Sequence, residues 1–144
     1  MDLADFAPTD GERRGPLTAS DRAAIHELIA LHGHLADDRR PEDLGLVLTG
    51  DAIYDVGAYG LGTVEGLPAI QRLHELRPGT QPVGHHVSNI VIDDRADGTV
   101  AVRSKGFAVM ADGSTGTCTY DDIVTDTDAG WRITRRRIAG PRTD

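Results

Sequence analysis

A few titratable residues could carry chemistry. His32 interrupts an otherwise aliphatic stripe in the run DRAAIHELIALHGHLA, and Asp37 and Asp38 close that same segment. His85 and His86 open a strand-like run further on. A histidine beside a carboxylate can act as a general base, because the carboxylate selects the tautomer and stabilises the imidazolium that forms. At about 100° per residue, Asp37 and Asp38 fall on opposite sides of the stripe, so periodicity leaves open which one turns inward. An acid at a helix C-terminus meets the negative end of the dipole and needs a partner. His85 and His86 point to opposite faces of a strand, and alternation likewise leaves that choice open.

Other chemistries find less support. His32 and His34 diverge by about 160° on a helix and His85 and His86 diverge on a strand, so neither pair can chelate one ion and no metal site is expected. Cys118 is the sole cysteine, has no internal disulfide partner and sits where a small buried apolar residue belongs. No GxGxxG or P-loop pattern occurs, so no nucleotide cofactor is expected. Arg135, Arg136 and Arg137 split over both faces of a strand, which leaves one of them free to turn toward an interior.

The chain has 144 residues with 15 Lys plus Arg against 23 Asp plus Glu, a formal charge of −8. That length fits one domain able to bury a core without disulfides or metal. An acidic surface is repelled by phosphate backbones and anionic lipid, leaving small molecules and proteins as partners. The lone cysteine suits a reducing compartment, so the expected location is cytoplasmic, and with no apolar run of roughly 18 residues and no basic-apolar leader a soluble, unprocessed chain is expected. Aromatic residues are scarce: Phe6, Tyr54, Tyr59, Phe107, Tyr120 and Trp131.

Residues 1–17 mix Pro, Gly and charges without period and read as a flexible arm. Thr18 or Ser20 caps a long amphipathic helix that buries Ile25, Leu28, Ile29, His32, Leu35 and Ala36. A short helix over Pro41 to Leu48 is expected to end before Thr49-Gly50-Asp51. Ala52 to Val56 and Leu61 to Val64 pair across the Gly57–Gly60 turn, and a third helix runs from Gly66 to about Leu76, ahead of Pro78-Gly79. Four strands follow, His85 to Asp93, Thr99 to Ala111, Thr115 to Thr125 and Trp131 to Ala139, with turn signals at Gly98, Gly113 and Gly130. Residues 140–144 form a tail. Helices first and a meander last predict an α+β domain over residues 18–139, helices on one face of a curved sheet.

The order of these elements resembles the SnoaL-like branch of the nuclear-transport-factor-2-like superfamily. The carriers are the helix ending Leu35-Ala36-Asp37-Asp38-Arg39, the phrase Leu48 to Asp55, Val64-Glu65-Gly66, His85-His86-Val87-Ser88-Asn89, Tyr120-Asp121-Asp122 and Gly130-Trp131-Arg132-Ile133. The resemblance implies a cone-shaped curved mixed sheet, closed by three helices around an apolar pocket, in dimers or trimers. Scytalone dehydratase, bile-acid 7α-dehydratase and hexachlorocyclohexane dehydrochlorinase in this superfamily use an Asp/His pair. Matched position by position, the pair here is Asp37 and His85, with His32, Tyr54, Asn89, Tyr120 and Arg136 as substrate-binding residues. His32 replaces a Tyr or Lys, and Ala108 stands where the bile-acid enzyme has an acid. The implied activity is a cofactor-independent, metal-free elimination on a small apolar cyclic substrate. Alternatives are an isomerase or cyclase, an epoxide hydrolase using Asp37, Asp55 or Asp122 with Arg136, or a non-catalytic ligand-binding or dimerisation module.

Overall fold

Thr18 and Asp21 satisfy each other at the start of the long helix. The Thr18 hydroxyl accepts the Asp21 N–H at 3.1 Å, and Asp21 returns a bond from the Thr18 N–H at 2.8 Å, a complete capping box. In the computed structural model, which describes residues 15–75 and 81–144, this helix is α1 (Ala19–Asp37). Its buried stripe is Ile25, Leu28, Ile29, His32 and Leu35, with Gly33 enclosed beside it. At its end Arg39 takes a left-handed conformation, φ 53°, while Arg40 N–H bonds the Leu35 carbonyl and Arg39 N–H the Ala36 carbonyl. That is a Schellman stop, made here without glycine.

The short helix expected over residues 41–48 is instead a 3₁₀ turn, Pro41–Leu46. Leu44 and Val47 are both fully buried, and the three-residue repeat of a 3₁₀ turn places them on one side. Strand β1 (Leu48–Asp55) therefore starts four residues earlier than expected and absorbs Thr49-Gly50-Asp51 as an irregular stretch, where its register shifts. A second 3₁₀ turn, Gly57–Tyr59, leads to β2 (Thr63–Glu65) and α2 (Leu67–Glu75). Leu76 and Pro78-Gly79 lie outside the described residues.

The meander follows as expected: β3 (Gly84–Asp94), β4 (Val100–Val109), β5 (Thr115–Thr127) and β6 (Gly130–Ala139). Gly98, Gly113 and Gly130 turn its corners with φ of 87°, 83° and 99°, a region open to glycine without penalty. The six-stranded sheet runs β2-β1-β6-β5-β4-β3, and the β1–β6 pairing is parallel, which makes it mixed. Register partners point to the same face, so Tyr54, Arg136 and Asp122 form one row across β1, β6 and β5. His85, Ala108 and Gly116 form another across β3, β4 and β5.

The core joins α1, α2 and this face of the sheet, and Trp131 ties the far end by donating its indole N–H to Asp21 at 3.3 Å. No helix among the described residues is long and apolar enough to cross a membrane. Gly106 is where the strands need a bare backbone. A Cβ there would stand 2.5 Å from Cys118 Sγ and 2.6 Å from Tyr120 Cε2. Replacing Gly106 by Ala should lower stability by about 1–3 kcal/mol, the usual cost of overpacking. A urea unfolding midpoint equal to wild type would contradict this.

Candidate active site

Asp37 is the last residue of α1 and meets the start of β3. Its carboxylate accepts the His85 backbone N–H on both oxygens at 3.0 Å, and Oδ1 lies 2.6 Å from His85 Nδ1. Three donated contacts answer the unfavourable charge at the helix end. Because a carboxylate only accepts, Nδ1 carries a hydrogen, and in the neutral ring Nε2 is the nitrogen with the lone pair. The two side chains are about a quarter exposed, enough to be reached from a cavity. Gly33 eases the approach, since a Cβ there would lie a tight 3.3 Å from the His85 carbonyl oxygen. The open choices thus resolve in space: Asp37 meets His85, Asp38 is exposed, and His86 sits on the other face against Phe107, ring centroids 6.2 Å apart.

Three rings cluster deeper in. His32 Nε2 is hydrogen-bonded to the Tyr54 hydroxyl, and the His74 ring stands edge-on to both, 6.1 Å from His32 and 6.3 Å from Tyr54. Burial above all, then the charge of Arg136 and the neighbouring histidines, holds His32 well below the usual imidazole range. Burial followed by His85 and Arg136 pushes His74 down to about 4. Both rings are therefore neutral at physiological pH. Burial also raises the Tyr54 and Tyr120 phenols, so both stay protonated. Where His32 Nε2 carries the hydrogen, the Tyr54 oxygen accepts and its own hydrogen is free to turn elsewhere; in the other tautomer the Tyr54 hydroxyl donates to His32. His74 had no place among the expected site residues. Its only sequence signal was its position one turn after Ile70, on the inward side of α2.

Two expected binding residues lie elsewhere. Asn89 is exposed and sits in the register shift between Ser88 and Val91 with φ 54°, so it bends β3 as a bulge residue and does not line the cavity. Asparagine tolerates that conformation better than most residues. Arg136 does turn inward, but beneath the cavity wall: Nε and Nη2 each donate to Asp122 at 2.8 Å, and the guanidinium stacks on Tyr120 at 4.4 Å. Its neighbours Arg135 and Arg137 face the other side, where Asp121 pairs with Arg103 and Arg137.

The cavity these elements enclose measures about 570 Å³. His32, Tyr54, His74, His85 and Tyr120 supply polar atoms, and side chains such as Leu61, Leu73, Met110 and Ile138 make most of the remaining wall. Cys118 lines it as well. Among the described residues, no Asp, Glu, Lys or Arg lines it, and no cluster of His, Cys, Asp or Glu is suited to a metal ion. Such a volume and lining suit a small apolar ligand with one or two oxygens.

A curved mixed sheet wrapped around an apolar cavity, with helices over its open face, defines the nuclear-transport-factor-2-like class. A SnoaL-like domain profile matches residues 17–137, so this chain belongs to the SnoaL-like family of that superfamily. Similar solved structures include an NTF2-like protein with a cystatin-like fold from Novosphingobium aromaticivorans, 27% identical, covering 87% of this chain and 84% of that one with a TM-score of 0.72. A proposed scytalone dehydratase from the same organism is 26% identical over 87% of each chain, TM-score 0.71. A protein of unknown function from Nostoc punctiforme shares the fold at 20% identity, 90% and 97% coverage and a TM-score of 0.75. No curated protein matches the chain.

The buried histidines make stability depend on pH with a definite sign. Unfolded, these rings take up protons near 6.5; folded, His74 does so only near 4. The unfolded state thus binds more protons in that window, and stability should fall as pH drops from about 6.5 to about 4. Asp122, raised by burial, acts in the opposite direction. Comparing urea midpoints of wild type and His74→Gln across this range isolates the histidine: the variant should show a flatter acid slope, and identical slopes would refute the assignment.

Proposed function

We propose that this protein is a cofactor-independent acid-base enzyme that eliminates a leaving group from a small apolar ring compound. The observation that carries the reading is the Asp37–His85 contact of 2.6 Å at the wall of an apolar cavity. His85 Nε2 removes a proton from the carbon next to the one bearing the leaving group. The C–H electron pair becomes the new double bond, the leaving oxygen departs, and the imidazolium returns the proton to it as water. Asp37 orients the ring and stabilises its transient cation. Tyr54, backed by His32, stands where a ring oxygen gathering negative charge could be held.

The same contact supports this reading over a passive binding module: beyond the helix-end charge that the His85 backbone N–H already answers, it sets a ring nitrogen against a carboxylate at the cavity wall. Epoxide hydrolysis draws no such support. It calls for two acids flanking an arginine inside the cavity, whereas Arg136 and Asp122 close on each other beneath the wall and Asp55 bonds the Gly57 N–H.

Positioned acid-base catalysis contributes about 10²–10⁴-fold. On a panel of cyclic hydroxy-ketones and halogenated rings, His85→Ala should lower kcat/KM by about that factor, and Asp37→Asn should lower it too while the fold is kept by circular dichroism. Turnover that survives both substitutions would remove the mechanism.

A further inference from the structure

A smaller cavity of about 200 Å³ lies under the end of α1, and it shares Ala36, His74 and Gln81 with the main one. Its inner wall is apolar, with Leu35, Pro41 and Leu44, while Arg39, Arg40 and Glu75 flank it. Of the three shared residues, Ala36 offers only a methyl group. Gln81 is tethered, its side-chain amide donating to the His74 carbonyl at 2.8 Å. The third shared side chain is the His74 ring, fixed edge-on against His32 and Tyr54.

We propose that His74 is a specificity-determining residue: its imidazole divides the two cavities and limits the ligand to a compact ring without an extended substituent. The proposal rests on the main cavity being the ligand site. A flat ring is suited to this task, because it blocks the passage while its edge continues the polar patch made by His32 and Tyr54. Held neutral, it places no charge in an apolar wall. Removing the ring joins the two spaces and exposes an apolar recess to whatever lies in the main cavity.

The consequence is readable as a length profile. Each buried methylene strengthens binding about fourfold. For n-alkylbenzenes from ethyl to heptyl, measured by displacement of the neutral fluorophore N-phenyl-1-naphthylamine, wild-type affinity should rise with chain length and then stop. In His74→Ala the rise should continue for at least two further methylenes, a gain of tenfold or more for the longest chains. His74→Phe, which keeps a ring in place, should retain the wild-type limit. His74→Val serves the same purpose as the alanine variant if that one does not fold by circular dichroism. Identical length profiles in wild type and the shortened variants would overturn the role of His74. Absence of binding in every variant would overturn it together with the ligand site. Loss of the catalytic reading alone would appear as unaltered turnover in His85→Ala and leave the length profile unchanged.

Discussion

A guanidinium and a carboxylate with almost no access to water hold the middle of the sheet. Arg136 and Asp122 are direct partners on β6 and β5 and share two parallel hydrogen bonds of 2.8 Å. Removing either charge from water costs several kcal/mol, which only complete pairing can offset, so both strands are committed to one register. Tyr120 covers the guanidinium with its ring face, and Tyr54, the partner of Arg136 across the parallel pairing with β1, completes the row. Tyr54 in turn reaches His32 on α1. The same cation helps keep His32 and His74 uncharged. An ion pair that does not line the cavity thus adds to burial in keeping its histidines neutral.

The second constraint is the approach of α1 to β3. A glycine inside a helix is unfavourable by roughly 0.5–1 kcal/mol relative to alanine, and a left-handed arginine at the helix stop also carries a cost. The first lies where α1 passes the His85 carbonyl, and the second follows two residues after Asp37. The gain is a carboxylate held by a backbone N–H and a ring nitrogen at once, which no longer separation would allow. Local unfavourable choices clustered around one contact are consistent with a function for that contact.

What could be seen in the sequence follows from how local each signal is. The stripe of α1 and the corners of the meander depend on neighbours a few residues away, and both appear in the structure near their expected places. The 3₁₀ turn at Pro41–Leu46 and the early start of β1 depend on burying Leu44, Val47 and Leu48 together against distant elements, which a local helix signal does not register. Alternation divided Arg135, Arg136 and Arg137 correctly between faces without saying which faced inward; Asp122, the decisive partner of Arg136, lies on another strand. Geometry alone could not choose between Asp37 and Asp38, or His85 and His86, and family resemblance made both choices. Asn89 was misplaced because a bulge resets the alternation that a strand otherwise obeys. His74 could be placed on the inward side of α2 but not in a site, because its environment is assembled from α1, β1 and α2.

Charge placement links these parts. The chain carries −8 overall, yet its cavity lining among the described residues holds no carboxylate or ammonium. Asp121 and Asp122 show how this is managed: adjacent on β5, they face opposite sides of the sheet, and each is matched by arginine on its own side. A base in an apolar cavity works only if neighbouring groups neither take the proton first nor supply one out of turn. Burial meets both conditions here, holding two imidazoles neutral and two phenols protonated. On the proposed reading, that leaves the Asp37–His85 pair, partly exposed and with a carboxylate already in contact with the ring, to carry the transferred proton.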